Sequence, residues 1–381
     1  MIGSYWFDAE PASPSLAAPP GRGGRVDVAI IGGGITGCAA ARVLAEAGLR
    51  IRVHEARQIG SGASGRNGGF ALGGGATRYD IARETYGAEA AFEYWRWTER
   101  ALDRMEELAG DALARPGSLR LAADEEEREQ IRGEYEALRE DGLEAEWRDE
   151  LPPPLAGRFH GAIFHPHDGS LQPARFVRRL AQAAAAAGAE LVEHSRVESV
   201  DDLDAENVLI ATDGYGRGLL PELDETIWPA RGQVVATEPL PDRLFDCPHY
   251  ARQGFDYWQQ LADGRIILGG FRDFSIMSEL TDEETTTPLI QEALAAFLRE
   301  LLGYDPPLAY RWAGIFGLTQ DFLPLVGRVP GRDGIWVAAG YSGHGNVLGL
   351  ACGELVAKAI LGGDDPQLAL FDPARLLSPA A

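Results

Sequence analysis

The sequence predicts an α/β fold in which a parallel-sheet domain is interleaved with an α+β domain built on an antiparallel sheet. Three observations predict it: a strand, glycine turn and alanine-rich helix near the start, alternating strands in the middle, and buried strands that return late in the chain. We expect the domains to comprise residues 25–80, 155–226 and 320–375 for the first and 81–154 and 227–319 for the second, with 1–24 as an N-terminal extension.

The first domain begins with a predicted βαβ unit. Residues 25–31 are a β-branched run that predicts a strand, and residues 35–48 predict a helix rich in small residues that ends at a glycine. A second strand follows at 49–55. A unit of about 30 residues has the length that a parallel crossover requires, so we expect a parallel sheet.

The next stretch changes character twice. Residues 58–75 hold eight glycines among serine, arginine and asparagine, which excludes a helix or strand interior and indicates a functional loop. Residues 76–142 are charged, aromatic and helix-rich, and three prolines within 151–155 predict a stiff linker. We then expect the chain to return to the parallel layer with a strand at 162–164, a turn at 167–169, a helix at 173–188 and a strand at 190–193.

The remaining elements follow the same reasoning. An apolar run at 208–211 predicts a buried strand, and the alternation over 227–270 predicts an antiparallel sheet. Later periodicities predict a helix at 288–302, strands at 308–318 and 335–339, and a final helix at 346–361 that follows a glycine turn at 340–345.

Composition excludes several functions. The chain has 35 Lys+Arg against 58 Asp+Glu, a formal net charge of −23, so we expect neither a nucleic acid nor a membrane partner. Its start lacks the basic residue and apolar core of a signal peptide, and residues 11–24 predict a flexible lead-in. Three widely spaced cysteines predict neither a disulfide framework nor a zinc site, and we expect a reduced, cytoplasmic protein.

Residues 32–37 read GGGITG and fit the G-x-G-x-x-G pattern between the predicted strand and helix. Gly32 permits the turn, Gly34 lets a pyrophosphate approach the backbone, and Gly37 allows close packing of helix on strand. Glu55 stands 23 positions after Gly32, which suits an acid that binds an adenosine ribose. The hexad predicts an adenine dinucleotide but does not choose between NAD and FAD.

Two further glycine-rich segments carry a resemblance. Together with the hexad and Glu55, residues 60–69 (GSGASGRNGG) and 340–345 (GYSGHG) resemble the FAD-dependent amine and amino-acid oxidoreductases of the D-amino-acid oxidase, glycine oxidase and sarcosine oxidase superfamily. The SYW of residues 4–6 is most similar to the gamma-glutamylputrescine oxidase branch. The resemblance implies a Rossmann-like FAD-binding domain. It also implies noncovalent FAD, because no cysteine stands near Phe316 and Gly317, where sarcosine-type enzymes attach the flavin.

The resemblance places the cofactor along both ends of the chain. Val197 would contact the adenine through its backbone, and residues 340–345 would bring the positive end of the last helix to the flavin N1 and C2 carbonyl. The predicted FAD-binding residues are Gly32, Gly34, Ile35, Thr36, Gly37, Glu55, Ala56, Arg57, Ser61, Ala63, Ser64, Arg66, Asn67, Gly68, Gly69, Val197, Thr212, Gly214, Gly327, Gly343, His344, Gly345 and Asn346.

The same comparison implies a substrate class. Sarcosine-type oxidases hold the substrate carboxylate with an arginine and a lysine, at positions where this chain has Ala71 and Val347. We therefore expect a primary or secondary amine without an adjacent carboxylate. Ile267 stands close to the position where the family has its oxygen-activating lysine, and Lys358 is the only lysine of this chain. The electron acceptor, O2 or another molecule, therefore stays open.

The candidate catalytic residues are Arg66, Asn67, Tyr257 and His344, with Trp258 and Tyr341 as further pocket candidates. Strand alternation favours one of Tyr257 and Trp258 in the core, and His344 is predicted mainly to order its loop. His165 and His167 favour a turn over a metal site, and we expect no metal.

The predicted function is FAD-dependent oxidation of the C–N bond of an amine, by hydride transfer to flavin N5. One alternative is an NAD-dependent dehydrogenase that uses the same hexad. The other is a flavin-binding subunit of a hetero-oligomeric oxidoreductase, which would be inactive without its partner.

Overall fold

A computed structural model describes residues 3–10 and 24–377. The predicted extension at 1–24 and the flexible lead-in at 11–24 therefore lie mostly outside the described residues. In the part of the chain that is described, no helix combines the length and apolar character needed to cross a membrane.

The helices are numbered along the chain. They are α1 (Tyr5–Ala9), α2 (Ile35–Glu46), α3 (Tyr79–Tyr86), α4 (Ala88–Ala109), α5 (Glu125–Glu140), α6 (Pro173–Ala186), α7 (Pro221–Asp224), α8 (Ile276–Glu279), α9 (Pro288–Leu302), α10 (Val347–Ile360) and α11 (Gln367–Phe371). The bounds of α9 equal the predicted ones, because Pro288 occupies its first turn and Gly303 ends it in the left-handed conformation.

The strands are numbered in the same way. They are β1 (Val26–Ile31), β2 (Ile51–His54), β3 (Phe70–Ala71), β4 (Leu113–Ala114), β5 (Ser118–Leu121), β6 (Glu146–Arg148), β7 (Ala162–His165), β8 (Gly169–Leu171), β9 (Glu190–Val192), β10 (Ala205–Ile210), β11 (Trp228–Thr237), β12 (His249–Ala251), β13 (Asp256–Gln260), β14 (Ile266–Gly270), β15 (Leu308–Leu318), β16 (Leu325–Arg328) and β17 (Ile335–Ala339).

The first sheet confirms the predicted parallel layer. Its six strands have the order β16-β17-β10-β1-β2-β9, and all neighbours are parallel except β16 and β17. The central strand β1 is almost wholly buried, as expected where helices cover both faces of a parallel sheet. Helix α2 packs against both α6 and α10.

The second sheet has eight strands in the order β15-β11-β14-β13-β12-β5-β7-β6, and all pairs are antiparallel except β12 with β5. The prediction that residues 162–164 return to the parallel layer is wrong. The strand β7 pairs antiparallel with β5 and β6 in this second sheet. Both partners are strands that precede β7 in the chain, and the residues of a four-residue strand do not by themselves indicate which sheet it joins. The chain returns to the parallel layer with α6 and β9.

A small third sheet, β3-β8-β4, continues the glycine-rich stretch 58–75. The turn predicted at 167–169 falls between β7 and β8, so the structure confirms a turn near His165 and His167. Residues 151–155 contain no helix or strand, as predicted for a linker.

Candidate active site

The opening and closing glycine turns face one cavity. This cavity has a volume of about 1120 Å³, larger than the roughly 300–1,000 Å³ of ordinary small-molecule sites. Both the hexad and the turn that precedes α10 contribute lining residues. The two turns are also joined directly, because the hydroxyls of Thr36 and Tyr341 lie 2.8 Å apart. A single extended ligand can therefore contact both ends of the chain.

The opening turn has the backbone that its sequence predicts. Gly32 adopts φ +110°, and a Cβ on Gly37 would lie 2.0 Å from the carbonyl oxygen of Gly32. Helix α2 can therefore start close to β1 only with glycine at this position. The first turn of α2 lies at the cavity with its partial positive charge, which suits a pyrophosphate, and its first amide, that of Ile35, donates to the hydroxyl of Ser64 at 3.0 Å.

Glu55 is fixed at the end of β2. Its Oε2 accepts a hydrogen bond of 2.9 Å from the amide of Gly33, and its Oε1 accepts one of 2.9 Å from the amide of Arg57. Each carboxylate oxygen keeps a further lone pair for a ribose hydroxyl. Glu55 and Val197 line the same end of the cavity, close to the Ser195 amide that donates to the Glu55 carbonyl.

The glycine loop over residues 60–69 is held by side chains from distant parts of the chain. The carbonyl oxygens of residues 65 to 69 each accept a hydrogen bond from a side chain outside the loop. The donors are Ser4 to Gly65 (2.8 Å), Trp312 to Arg66 (2.7 Å), Trp6 to Asn67 (2.7 Å), and Gln259 to Gly68 (2.5 Å) and Gly69 (2.8 Å). Helix α1 thus has a defined place: it anchors this loop.

Asn67 joins the loop to the last helix. Its side-chain amide forms a reciprocal pair with that of Asn346, with both N···O distances 3.0 Å, and Asn346 also donates to the carbonyl of Phe70 at 2.8 Å. The Oδ1 of Asn67 accepts from the amide of Gly69 as well. These contacts favour a positioning role for Asn67 rather than direct chemistry.

Arg66 lines the cavity, but protein groups occupy its donors. Its Nε donates to the carbonyl of Ser61 at 2.8 Å, Nη1 to that of Ala313 at 3.2 Å, and Nη2 lies 3.1 Å from a carboxylate oxygen of Glu284. The same carboxylate pairs with Arg57 at 2.9 Å. Arg66 therefore braces the loop in this structure.

Tyr257 and Trp258 point to opposite faces of β13, as strand alternation predicts. Trp258 is fully buried and stacks on His249 in the core of the second sheet. Tyr257 lines the cavity and packs edge-on against Phe70, with ring centroids 5.6 Å apart. Burial raises the pKa of Tyr257 to about 12, so its hydroxyl keeps its proton near neutral pH.

Asp213, which the sequence reasoning did not select, ties the closing turn to β15. It lines the cavity next to Thr212, and its carboxylate accepts hydrogen bonds from the amides of Gly317 at 2.9 Å and Gly340 at 2.8 Å. Burial raises the pKa of Asp213, against the effect of these donors. A Thr-Asp-Gly sequence directly after a predicted buried strand is the signal that could have identified it.

The cavity residues fit FAD. Two buried polar atoms at its wall, Thr212 Oγ1 and His344 Nδ1, have no hydrogen-bond partner among the described residues, and the amino ends of α2 and α10 both face the cavity. Burial lowers the pKa of His344 to about 4, so the ring is neutral near pH 7. A hydrogen bond to the backbone of Ser342 raises the pKa of His344 against the larger effect of burial, and that His344 orders its loop stays a prediction.

Most predicted FAD-binding residues line the cavity, and five do not. Gly37 lies behind the turn, Gly69 packs against Trp6, and Gly214 faces a smaller pocket. Ser61 contacts Arg66 through its carbonyl. Gly327 lies on β16, where a Cβ would contact Pro373, so the structure does not bring it to the cavity.

The cavity extends beyond the predicted residues to polar groups that no motif indicated. Arg120 on β5 lies 2.8 Å from Glu134 on α5, both side chains being largely buried, and its guanidinium lies over the ring of Tyr250 at 5.8 Å. Arg272, after β14, also lines the cavity. These residues come from separate elements of the second sheet region, so no sequence spacing could have grouped them. No metal-binding group of histidine, cysteine or acidic side chains occurs within residues 3–10 and 24–377.

Comparisons with known proteins agree with this geometry. The DAO family, described as FAD dependent oxidoreductase, matches residues 27–359. The chain is 30% identical to the probable oxidoreductase OrdL of Rhizobium meliloti, over 94% of this chain and 89% of the relative. It is 28% identical to gamma-glutamylputrescine oxidoreductase of Escherichia coli, over 88% and 84%.

A crystal structure of glycine oxidase from Geobacillus kaustophilus is also similar. It superposes with a TM-score of 0.75 at 26% identity, covering 93% of this chain and all of that one. The family match decides for FAD over the nicotinamide alternative. The chain belongs to the DAO family of FAD-dependent oxidoreductases and acts on CH–NH2 or CH–NH donors.

Proposed function

We propose that the protein oxidises the C–N bond of a primary or secondary amine that carries no carboxylate next to the nitrogen, in the manner of gamma-glutamylputrescine oxidoreductase. One observation carries this proposal. The amino end of α10 presents Val347 to the cavity, and Ala71 is fully buried, so neither position offers a cation to an adjacent carboxylate. The carboxylate of an α-amino acid would therefore find no cationic side chain at either of these two positions.

FAD, when bound, supplies the hydride acceptor, its N5 atom. The chain's residues then have positioning tasks. The Tyr257 hydroxyl, protonated because of its raised pKa, offers one donor and one acceptor at the cavity wall. Phe70 and Val347 supply apolar surface that excludes water from the substrate carbon. His344, neutral near pH 7, adds no positive charge that would repel an amine.

The cofactor is proposed to be noncovalent. The three cysteines, Cys38, Cys247 and Cys352, are free and buried, and none of them lines the cavity. Denaturation with acid should therefore release all of the flavin into the supernatant. Flavin that stays with the precipitated protein would contradict this part of the proposal.

Turnover by the single purified chain tests the function. We expect anaerobic bleaching of the flavin by gamma-glutamylputrescine or a related amine, and little by glycine or sarcosine. Peroxide formation and dye reduction, measured in parallel, identify whether the electron acceptor is O2 or another molecule. We propose a cytoplasmic location for this reaction. A preference for glycine would overturn the proposed substrate class. Bleaching by no amine would favour the hypothesis of a subunit that needs its assembly.

A further inference from the structure

Arg272 differs from the other arginines at the cavity. Six of them have polar or acidic partners: Arg57 and Arg66 contact Glu284, and the others are Arg78, Arg120, Arg196 and Arg217. The side chain of Arg272 forms no hydrogen bond or ion pair with any residue in the described ranges 3–10 and 24–377. Its guanidinium lies over two aromatic rings, with its Cζ 4.6 Å from the centroid of Phe255 and 5.8 Å from that of Phe316.

Two acidic side chains that neighbour Arg272 along the chain or across the sheet pair with Arg252 instead. Asp273, the next residue, lies 2.8 Å from Nη1 of Arg252, and Asp256 also pairs with Arg252. Arg272 thus keeps its donors for another group. A guanidinium has five N–H donors, and contact with the face of an aromatic ring holds it in place without using them.

The backbone holds this side chain at the cavity. Phe271 adopts φ +61°, which is rare for a bulky residue, and its ring is buried in the core behind the sheet. Its amide donates to the carbonyl of Phe255 at 2.7 Å. The turn at Phe271 sends one side chain into the core and the next, Arg272, to the cavity. Backbone strain of this kind is concentrated at functional sites.

Arg272 is half-buried, and its position carries an electrostatic cost. Burial lowers the pKa of Arg272, against the charge of the neighbouring Asp273, yet an arginine stays charged, so within the described residues a partly desolvated cation lies at the cavity with no ion-pair partner. A planar carboxylate matches the guanidinium fork and would offset that cost. Both Arg272 and Tyr257 line this cavity, and the charge of Arg272 lowers the pKa of Tyr257 against the larger effect of burial.

We infer that Arg272 binds a carboxylate of the amine substrate, remote from the nitrogen that is oxidised. This inference rests on the proposed function. Val347 lies at the amino end of α10 and Arg272 follows β14, so two different elements bring these residues to the cavity, and we assign the reacting carbon to the first and the anion to the second. The substrate class is then an amine at one end and a carboxylate at the other.

Matched substrates test the inference. N-succinylputrescine and its neutral carboxamide share one free amine and differ only in the terminal charge. We expect the wild-type protein to prefer the acid by about tenfold or more in kcat/KM, and Arg272→Gln to remove that preference while changing amide turnover by less than about twofold. Arg272→Lys should retain part of it. Arg217→Gln, an exposed arginine at the same cavity, is the control and should keep the full preference.

Binding without turnover separates this inference from the proposed function. N-butylsuccinamate has the carboxylate but no oxidisable amine, and calorimetry on the holoenzyme measures its affinity. An affinity at least about tenfold weaker in Arg272→Gln supports the inference even if no amine is oxidised. The inference would be overturned if wild type and Arg272→Gln bound N-butylsuccinamate equally. It would also be overturned if Arg272→Gln lost the same kcat/KM on the acid and the amide substrate, or lost turnover of glycine alone. Lower FAD affinity in Arg272→Gln would also overturn it, by assigning the guanidinium to the cofactor.

Discussion

The two glycine-rich segments that meet at the cavity are held in different ways. In the opening turn, residues 32–37, Gly37 packs directly on the carbonyl of Gly32, and the hydrogen bonds of Gly33 and Ile35 go to side chains only 22 and 29 positions away. The loop over residues 60–69 depends on donors from α1, β13 and β15, between 61 and 246 positions away in sequence. A local turn can be inferred from a short motif. A loop that distant side chains hold needs the whole fold.

The largest effect should come from breaking the local turn. In Gly37→Val the new Cβ would lie 2.0 Å from a backbone oxygen that cannot move without shifting β1. We expect a loss of about 4 kcal/mol or more in the free energy of unfolding, and no bound FAD. Chemical denaturation and flavin content measure both. Gly133→Ala in α5, where the nearest atom to a Cβ is 3.8 Å away, should be neutral or slightly stabilising.

The second-largest effect should come from removing a side chain, distant in sequence, that supports the loop over residues 60–69. Trp6 is 1% exposed and donates to the carbonyl of Asn67. Trp6→Ala should lower the free energy of unfolding by about 3 kcal/mol and weaken FAD binding, because it removes both packing and a hydrogen bond. Trp228→Ala, at a site that is 44% exposed, should change stability by less than about 0.5 kcal/mol. If both variants behave alike, α1 does not anchor the loop.

The third effect separates the loop from the last helix. Asn346→Leu removes the reciprocal amide pair and leaves the polar atoms of Asn67 partly unpaired. We expect about 2 kcal/mol of destabilisation and a faster release of flavin, measured by fluorescence after dilution. Asn207→Leu, which removes one hydrogen bond of 2.9 Å to Trp336 away from this loop, should leave the flavin release rate unchanged.

The smallest effect concerns pH. Burial lowers the pKa of His344 from 6.5 to about 4, so below pH 6.5 the unfolded chain binds a proton that the folded chain does not. Acidification therefore favours unfolding over the window between these two values. Between pH 6 and pH 5 the wild-type holoenzyme should lose about 1 kcal/mol more than His344→Asn. Equal slopes would show that His344 titrates normally.

Much of the site could be predicted from the sequence. The hexad, Glu55 and the closing turn are local patterns whose spacing reflects one backbone geometry, and their residues line one cavity. The alternation of Tyr257 and Trp258 follows from strand geometry alone. The sheet of β7 and the position of Gly327 were not predictable, because each depends on which distant element the segment packs against.

The sequence by itself determined that this chain builds a dinucleotide site, because glycine spacing and strand–helix periodicity act over a few residues and fix the local backbone. Only the tertiary structure decided which charged side chains at that site have an ion-pair partner and which do not. In the sequence, Arg66 and Arg272 look alike, because each is an arginine near glycines. In the structure, Arg66 forms an ion pair with Glu284, whereas Asp273, the residue after Arg272, forms its ion pair with Arg252. Ion pairing depends on distances between remote elements, which a linear pattern does not contain.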